Sequence, residues 1–151
     1  MQGFIPSSIK LGLYFENELV SCMTFGKRKG KCELLRFCNK IDTTIVGGAS
    51  KLFKYFLENY SIKEDIISYA NTDISEGNLY ETLGFSLEGK TGIGYWWGKG
   101  NQKFNRERFQ KYKLIKEGND PNLTEEEIMY KNGFFKIYNT GNLKYKYINK
   151  N

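Results

Sequence analysis

Two adjacent glycines, Gly47 and Gly48, stand between a β-branched run, Thr43-Thr44-Ile45-Val46, and the stretch "ASKLFKYFLENY". Without side chains, their backbone amides can approach a ligand closely. A helix starting here adds its positive end, which favours an anion by about 0.3–1 kcal/mol per charge at an exposed site. The same pair also serves as a tight strand-to-helix turn, so two readings stand: phosphate cradle and turn. A second constellation occupies residues 90–116. Eight basic side chains (Lys90, Lys99, Lys103, Arg106, Arg108, Lys111, Lys113, Lys116) share it with one acid, Glu107, and with Tyr95, Trp96, Trp97, Phe104, Phe109 and Tyr112. Cations contact phosphates and aromatic rings stack on bases, so the mixture fits a nucleic-acid partner; a solvated face over core aromatics is the alternative. Lys99, Lys103, Arg106, Arg108, Lys111 and Lys113 are the candidate contacts.

The chain contains no histidine. That excludes Ser-His-Asp and Cys-His catalysis, histidine metal sites and HNH-type nuclease centres. Three cysteines, Cys22, Cys32 and Cys38, are an odd number without CxxC spacing, and they read as small buried hydrophobes in a reducing compartment.

Periodicity and turn chemistry give the elements that must position these groups. "IKLGLYFENELVSCMTFGK" reads as a β-hairpin about Glu16-Asn17-Glu18, and "CELLRFCNK" as a third strand carrying Glu33 and Arg36. Leu52, Phe53, Phe56 and Leu57 repeat at spacings of one, three and four, which predicts a helix from about Gly48 to Tyr60. "DIISYA" is a buried strand, "SEGNLYETLGF" a short helix ending at Gly84, and "GIGYWWG" another strand without the spacing of a GIY-YIG nuclease motif. "FNRERFQKYKLIKEG" then reads as a basic helix. "LTEEEIMYKNG" reads as a second helix with a capping box from Thr124 to Glu127, and "FFKIYNTGNLKYKYI" as a closing hairpin.

The expected fold is α+β: a mixed, mostly antiparallel sheet with one βαβ crossover and flanking helices over residues 1–100. A helix-helix-hairpin appendage over 101–151 completes it. A chain of 151 residues, 40% hydrophobic, suits one such core. "MQGFIPSSIK" has no apolar leader core, and no apolar run approaches the roughly 20 residues that span a bilayer. A soluble, cytoplasmic protein without a membrane partner is expected.

The order of strand, Gly-Gly turn, helix, strand and "NLYETLGF" resembles the GNAT superfamily of acetyl-CoA-dependent N-acyltransferases. There a turn of the form Q/R-x-x-G-x-G/A binds the CoA pyrophosphate. Gly47 and Ala49 match it, and Thr44 departs from the first position. The resemblance implies acetyl-CoA or a related acyl-CoA as cofactor, held by Gly47, Gly48, Ala49 and Ser50, with Tyr80 as the acid that protonates the leaving thiolate. A phenol near pKa 10 can protonate a thiolate near 8.5; packing of the helix on the sheet is the alternative role.

Nearly the whole chain, from "SSIKLGLYFENELVSCMTFGK" to "KLIKEGNDPNLTEEEIMYKNGFFKIYNTGN", also looks like the C-terminal region of phage Hef-like homing endonucleases. A nuclease domain usually precedes that region, and no nuclease carboxylate-lysine constellation is seen here. The core is similar as well to phage Mom proteins, GNAT-like enzymes that modify adenine in DNA. Arg36, Ser50, Ser68, Tyr69 and Tyr80 match that pattern, but Asn71 stands where it has Asp. An amide cannot act as a general base, so the resemblance implies an altered site, or one in which Asp73 takes the role. Arg36 would orient the substrate or stabilise developing negative charge. Glu33 is a further candidate base, against the plainer reading of an exposed strand acid.

Three functions follow. One is a Mom-like transferase modifying a nucleobase, with double-stranded DNA as partner and a homodimer as a way to complete the acceptor site. The second is a non-catalytic DNA-targeting module of the homing-endonuclease type. The third is a small-molecule or protein N-acetyltransferase, which the basic patch disfavours.

Overall fold

In the computed structural model, which describes residues 6–28, 30–73 and 75–149, strand β1 (Ile9–Phe15) turns at Glu16 and Asn17 into β2 (Glu18–Arg28). Both turn residues have positive φ, 48° and 63°, as a tight hairpin requires. Then come β3 (Lys31–Asn39), helix α1 (Gly48–Asn59), β4 (Ile66–Asn71), α2 (Asn78–Thr82) and β5 (Ser86–Lys90). The chain continues through β6 (Tyr95–Lys99), β7 (Gln102–Asn105), a 3-10 turn (Arg106–Phe109), α3 (Lys111–Lys116), α4 (Glu125–Lys131), β8 (Phe135–Tyr138) and β9 (Asn142–Tyr147). The chain divides into two compact units: one runs up to Thr91 and resumes at Asn142, and the other is Gly92–Gly141.

The first unit is a six-stranded sheet in the order β1-β2-β3-β4-β9-β5. Every neighbouring pair is antiparallel except β3 and β4, which α1 connects as a βαβ crossover. The expected mostly antiparallel α+β sheet is therefore present. α1 packs on β1 and β2 because its one-three-four stripe buries Leu52, Phe53 and Phe56. Phe56 lies face to face with Phe25 of β2, ring centres 3.6 Å apart and planes 6° from parallel. Phe53 meets Phe85 and the edge of Tyr147, so one aromatic cluster joins helix and sheet.

Two expectations change. First, "FFKIYNTGNLKYKYI" is not a hairpin: β8 pairs with β6, whereas β9 enters the first sheet between β4 and β5. The alternation of Leu143, Tyr145 and Tyr147 explains this, since all three pack into the first unit's core and Tyr145 is only 1% exposed. Second, the basic segment is not one helix. The Asn105 side chain caps a 3-10 turn, and Gln110 then leaves helical geometry (φ −59°, ψ 140°) before α3 begins. The β-branched run Thr43–Val46 leads into α1 as a turn, as expected. β3 stops at Asn39, Asp42 adopts φ 57°, and the Thr43 N–H bonds Lys40 O at 3.2 Å.

The second unit is a three-stranded antiparallel sheet, β7-β6-β8, over α3 and α4, with Trp97, Leu114, Ile128 and Met129 at its centre. The capping box expected at Thr124 and Glu127 starts α4. Among the described residues no helix is long and apolar enough to cross a membrane.

Phe56→Ala removes a fully buried ring from the main stack. We expect a loss of about 3–5 kcal/mol in chemical denaturation; a loss below about 1 kcal/mol would show that the Phe25–Phe56 pair is not central.

Candidate functional site

The parallel ladder between β3 and β4 has only three residue pairs, Cys32↔Ile66, Glu33↔Ile67 and Leu34↔Ser68. It ends there, although β3 runs on to Asn39 and β4 to Asn71. Ser68 is fully buried at this point, and its hydroxyl donates to Leu34 O at 2.7 Å. The strand period places Glu33, one residue earlier, on the opposite face of the sheet. Its carboxyl is buried, with 6% exposure, and its Oε2 meets no hydrogen-bond partner among the described residues. Burial raises the Glu33 pKa, partly offset by the positive charge of Arg28.

Tyr80, on α2, approaches the same place. Its ring stacks on Tyr145 at 5.0 Å, and its hydroxyl lies 3.4 Å from Tyr69 O on β4. Burial raises its pKa, the Ser68 hydroxyl draws it back, and the Glu33 charge raises it further. The phenol therefore keeps its proton, as a general acid must. Glu33, Ser68 and Tyr80 thus form one electrostatically linked group where the ladder stops. Gly77 is what lets α2 approach so closely. It sits at φ 89°, and a Cβ there would lie 2.1 Å from the Tyr145 hydroxyl.

The glycine turn divides its labour. Gly47 caps α1 at φ 71° with open space around its missing Cβ. Gly48 is a packing glycine: a Cβ would meet Ile45 Cγ2 at 2.9 Å and the Ser21 hydroxyl at 3.2 Å. Its N–H already donates to Ile45 O at 3.2 Å. The amides that helix geometry leaves over for an anion are those of half-buried Ala49 and exposed Ser50. No side chain caps this end, and no acid stands in its first turn.

Arg36 lies on β3 beyond the end of the parallel ladder, opposite Thr24, and is half-buried. Asn71 closes β4, where its Oδ1 accepts the Asp73 N–H at 3.0 Å. This turn leaves the Asn71 amide in a structural role and places Asp73 on the exposed side of the turn. Ser68 and Tyr80 are brought together; Asn71 and Asp73 form their own turn.

In the second unit the basic groups sit on aromatic faces. Lys99 Nζ lies 4.9 Å from the Phe134 ring centre, Lys103 Nζ 4.9 Å from Trp96, and the Arg106 guanidinium 5.2 Å from Tyr95. Arg108 lies 5.6 Å from both Phe104 and Phe109, and Lys113 5.6 Å from Tyr112. Lys113 Nζ also donates to Glu107 O at 2.7 Å, while Lys111 is exposed; the Thr124 N–H and hydroxyl lower the pKa of Glu127, and the Lys111 charge adds a smaller share. Phe104, Phe109 and Phe134 pack on one another and line the unit's core, so these rings support cations instead of offering free stacking faces. A cleft of about 500 Å³ opens among Tyr95, Trp96, Asn105, Arg106, Gln110 and Glu125. Lys136, outside the basic run, joins this group at 4.6 Å from the Tyr95 ring. Tyr145 and Gly77 also escaped the sequence reading, although the Leu143-Tyr145-Tyr147 alternation could have revealed the tyrosine.

No protein-family model matches the chain, and no curated protein matches it.

The Glu33 carboxyl has a higher pKa folded than unfolded. The unfolded chain therefore releases this proton first, and stability falls as pH rises through and above the ordinary carboxylate value of 4.5. Glu33→Gln should raise Tm near pH 7 and change it little near about pH 4, where the carboxyl is largely protonated in both states. An equal shift at both pH values would show that the Glu33 charge is not desolvated.

Proposed function

We propose that this chain is a GNAT-type transferase acting on a base in DNA. The observation that carries the reading is the end of the β3–β4 ladder, where buried Glu33 lies on one face of the sheet and the Tyr80 hydroxyl reaches Tyr69 O of β4 from the other. The uncapped start of α1 fits an anionic pyrophosphate through the Ala49 and Ser50 amides. Where β3 and β4 cease to pair, each can offer backbone groups to an amide-bearing ligand, as in strand addition. When bound, an acyl-CoA would supply the acyl group and a sulfur leaving group. Glu33, as carboxylate, takes the proton from the acceptor nitrogen. Tyr80 would hold a proton at Oη for the leaving sulfur, and Arg36 would orient the acceptor. Glu33 thereby takes the role that Asn71 cannot. The cations of the second unit would meet the phosphates of the DNA, beside a cleft that combines aromatic, guanidinium and amide groups.

The test is calorimetric titration with acetyl-CoA, with and without a short DNA duplex, followed by mass analysis of the DNA bases. Micromolar binding and a mass increase on a base are expected. Tyr80→Phe should then lower turnover by about 10²–10⁴-fold while binding persists; unchanged turnover would remove Tyr80 from the chemistry.

A second reading is a DNA-docking module without chemistry. The Asn71 turn and the engaged Gly48 amide favour it. Salt-dependent DNA binding with no heat from acetyl-CoA would establish it over the first. Both readings expect Arg106→Ala, Arg108→Ala and Lys111→Ala together to weaken DNA binding. The slope of log K against log salt should shrink by about 0.9 per lost phosphate contact. A full-strength, equally salt-sensitive complex would place the DNA surface elsewhere.

A further inference from the structure

Cys22 of β2 and Cys38 of β3 are direct cross-strand partners, and their sulfurs lie 3.1 Å apart. Their neighbours Met23 and Phe37 pack into the aromatic core, so both thiols belong to the opposite sheet face. Cys38 is exposed and Cys22 half-buried, whereas Cys32 is enclosed in the core opposite Lys27. One pair is therefore set to react, and the third cysteine is set apart from it.

We propose that Cys22 and Cys38 form an oxidation site that closes one intramolecular disulfide in response to a peroxide. Partners in an antiparallel ladder have Cα atoms about 4.5–5.5 Å apart, inside the roughly 4.4–6.8 Å that a disulfide spans. The sulfurs need to approach by about 1 Å to reach the bonded length, which side-chain rotation supplies. The exposed Cys38 thiolate attacks one peroxide oxygen, the O–O bond breaks, and the other oxygen leaves as hydroxide. The Cys22 thiolate then attacks the sulfenic sulfur of Cys38, and the second oxygen leaves as hydroxide. Two thiols and one peroxide give one disulfide and two waters; the sulfurs lose two electrons and the peroxide oxygens gain them. Burial and the neighbouring Cys38 hold the Cys22 thiol up at about 11, with the Arg36 charge pulling it down. Contact with Cys38 compensates for the low thiolate fraction by making the second step intramolecular.

The bond would staple to β2 that part of β3 which has left β4, the part that carries Arg36. The chemistry itself does not rest on the transferase reading.

The test treats the reduced full chain with hydrogen peroxide, then counts thiols in denaturant and measures intact mass. Three free thiols should fall to one, the mass should drop by two hydrogens, and peptide mapping should find Cys22 joined to Cys38. Dithiothreitol should reverse the change. Cys32→Ser should oxidise as the parent does, and Cys38→Ser should lose the reaction. Persistence of all three thiols, a bond that uses Cys32, or bonds only between molecules would overturn the proposal. So would unaltered oxidation of Cys38→Ser.

Discussion

The first unit depends on a short parallel contact, the three residue pairs that join β3 to β4. It is the seam between a hairpin-based half, β1-β2-β3, and the half made of β4, β9 and β5. Parallel neighbours need a crossover, and α1 provides it while covering the core with its phenylalanines. Because the seam is short, the strands part while still inside the sheet, and the buried Ser68 hydroxyl ties the last pair with a side-chain bond. Glu33 and Tyr80 owe their positions to the same seam. One is fixed by its place in the β3 register, and the other by a helix that Gly77 allows to lie against Tyr145.

The second unit solves a different problem. A small aromatic core leaves ring faces at its boundary, and cations cover several of them. A guanidinium held over a ring loses less freedom on meeting a phosphate than one on a wandering side chain. Positive charge is thereby presented in fixed places by elements that are individually short: a strand pair, a 3-10 turn and a two-turn helix.

Elements with strong local signals were legible in the sequence. The α1 stripe, the Thr124–Glu127 capping box and the hairpin at Glu16 and Asn17 are written in neighbouring residues. What was not legible is set by distance along the chain. Nothing local tells β8 and β9 to avoid each other; the choice follows from where Trp96 and Tyr145 find partners. For the candidate site, the Gly-Gly turn and Tyr80 could be picked out by residue type. The burial of Glu33 could not, because an acid in an alternating strand reads as solvent-facing until the other strands are in place. The second role of the basic run's aromatics, as seats for cations, also needed the fold.

β5 and β9 are hydrogen-bonded neighbours, yet the whole of the second unit, Gly92–Gly141, is threaded between them. During synthesis at roughly 5–20 residues per second, several seconds pass between the emergence of β5 and that of β9. Through that interval β4 lacks its antiparallel neighbour, and an open strand edge invites pairing with other chains. The nascent sheet is thus most exposed to misassembly while the inserted unit is being made. Once β9 has emerged, an insert already folded would shorten the remaining search by holding the ends of β5 and β9 close together.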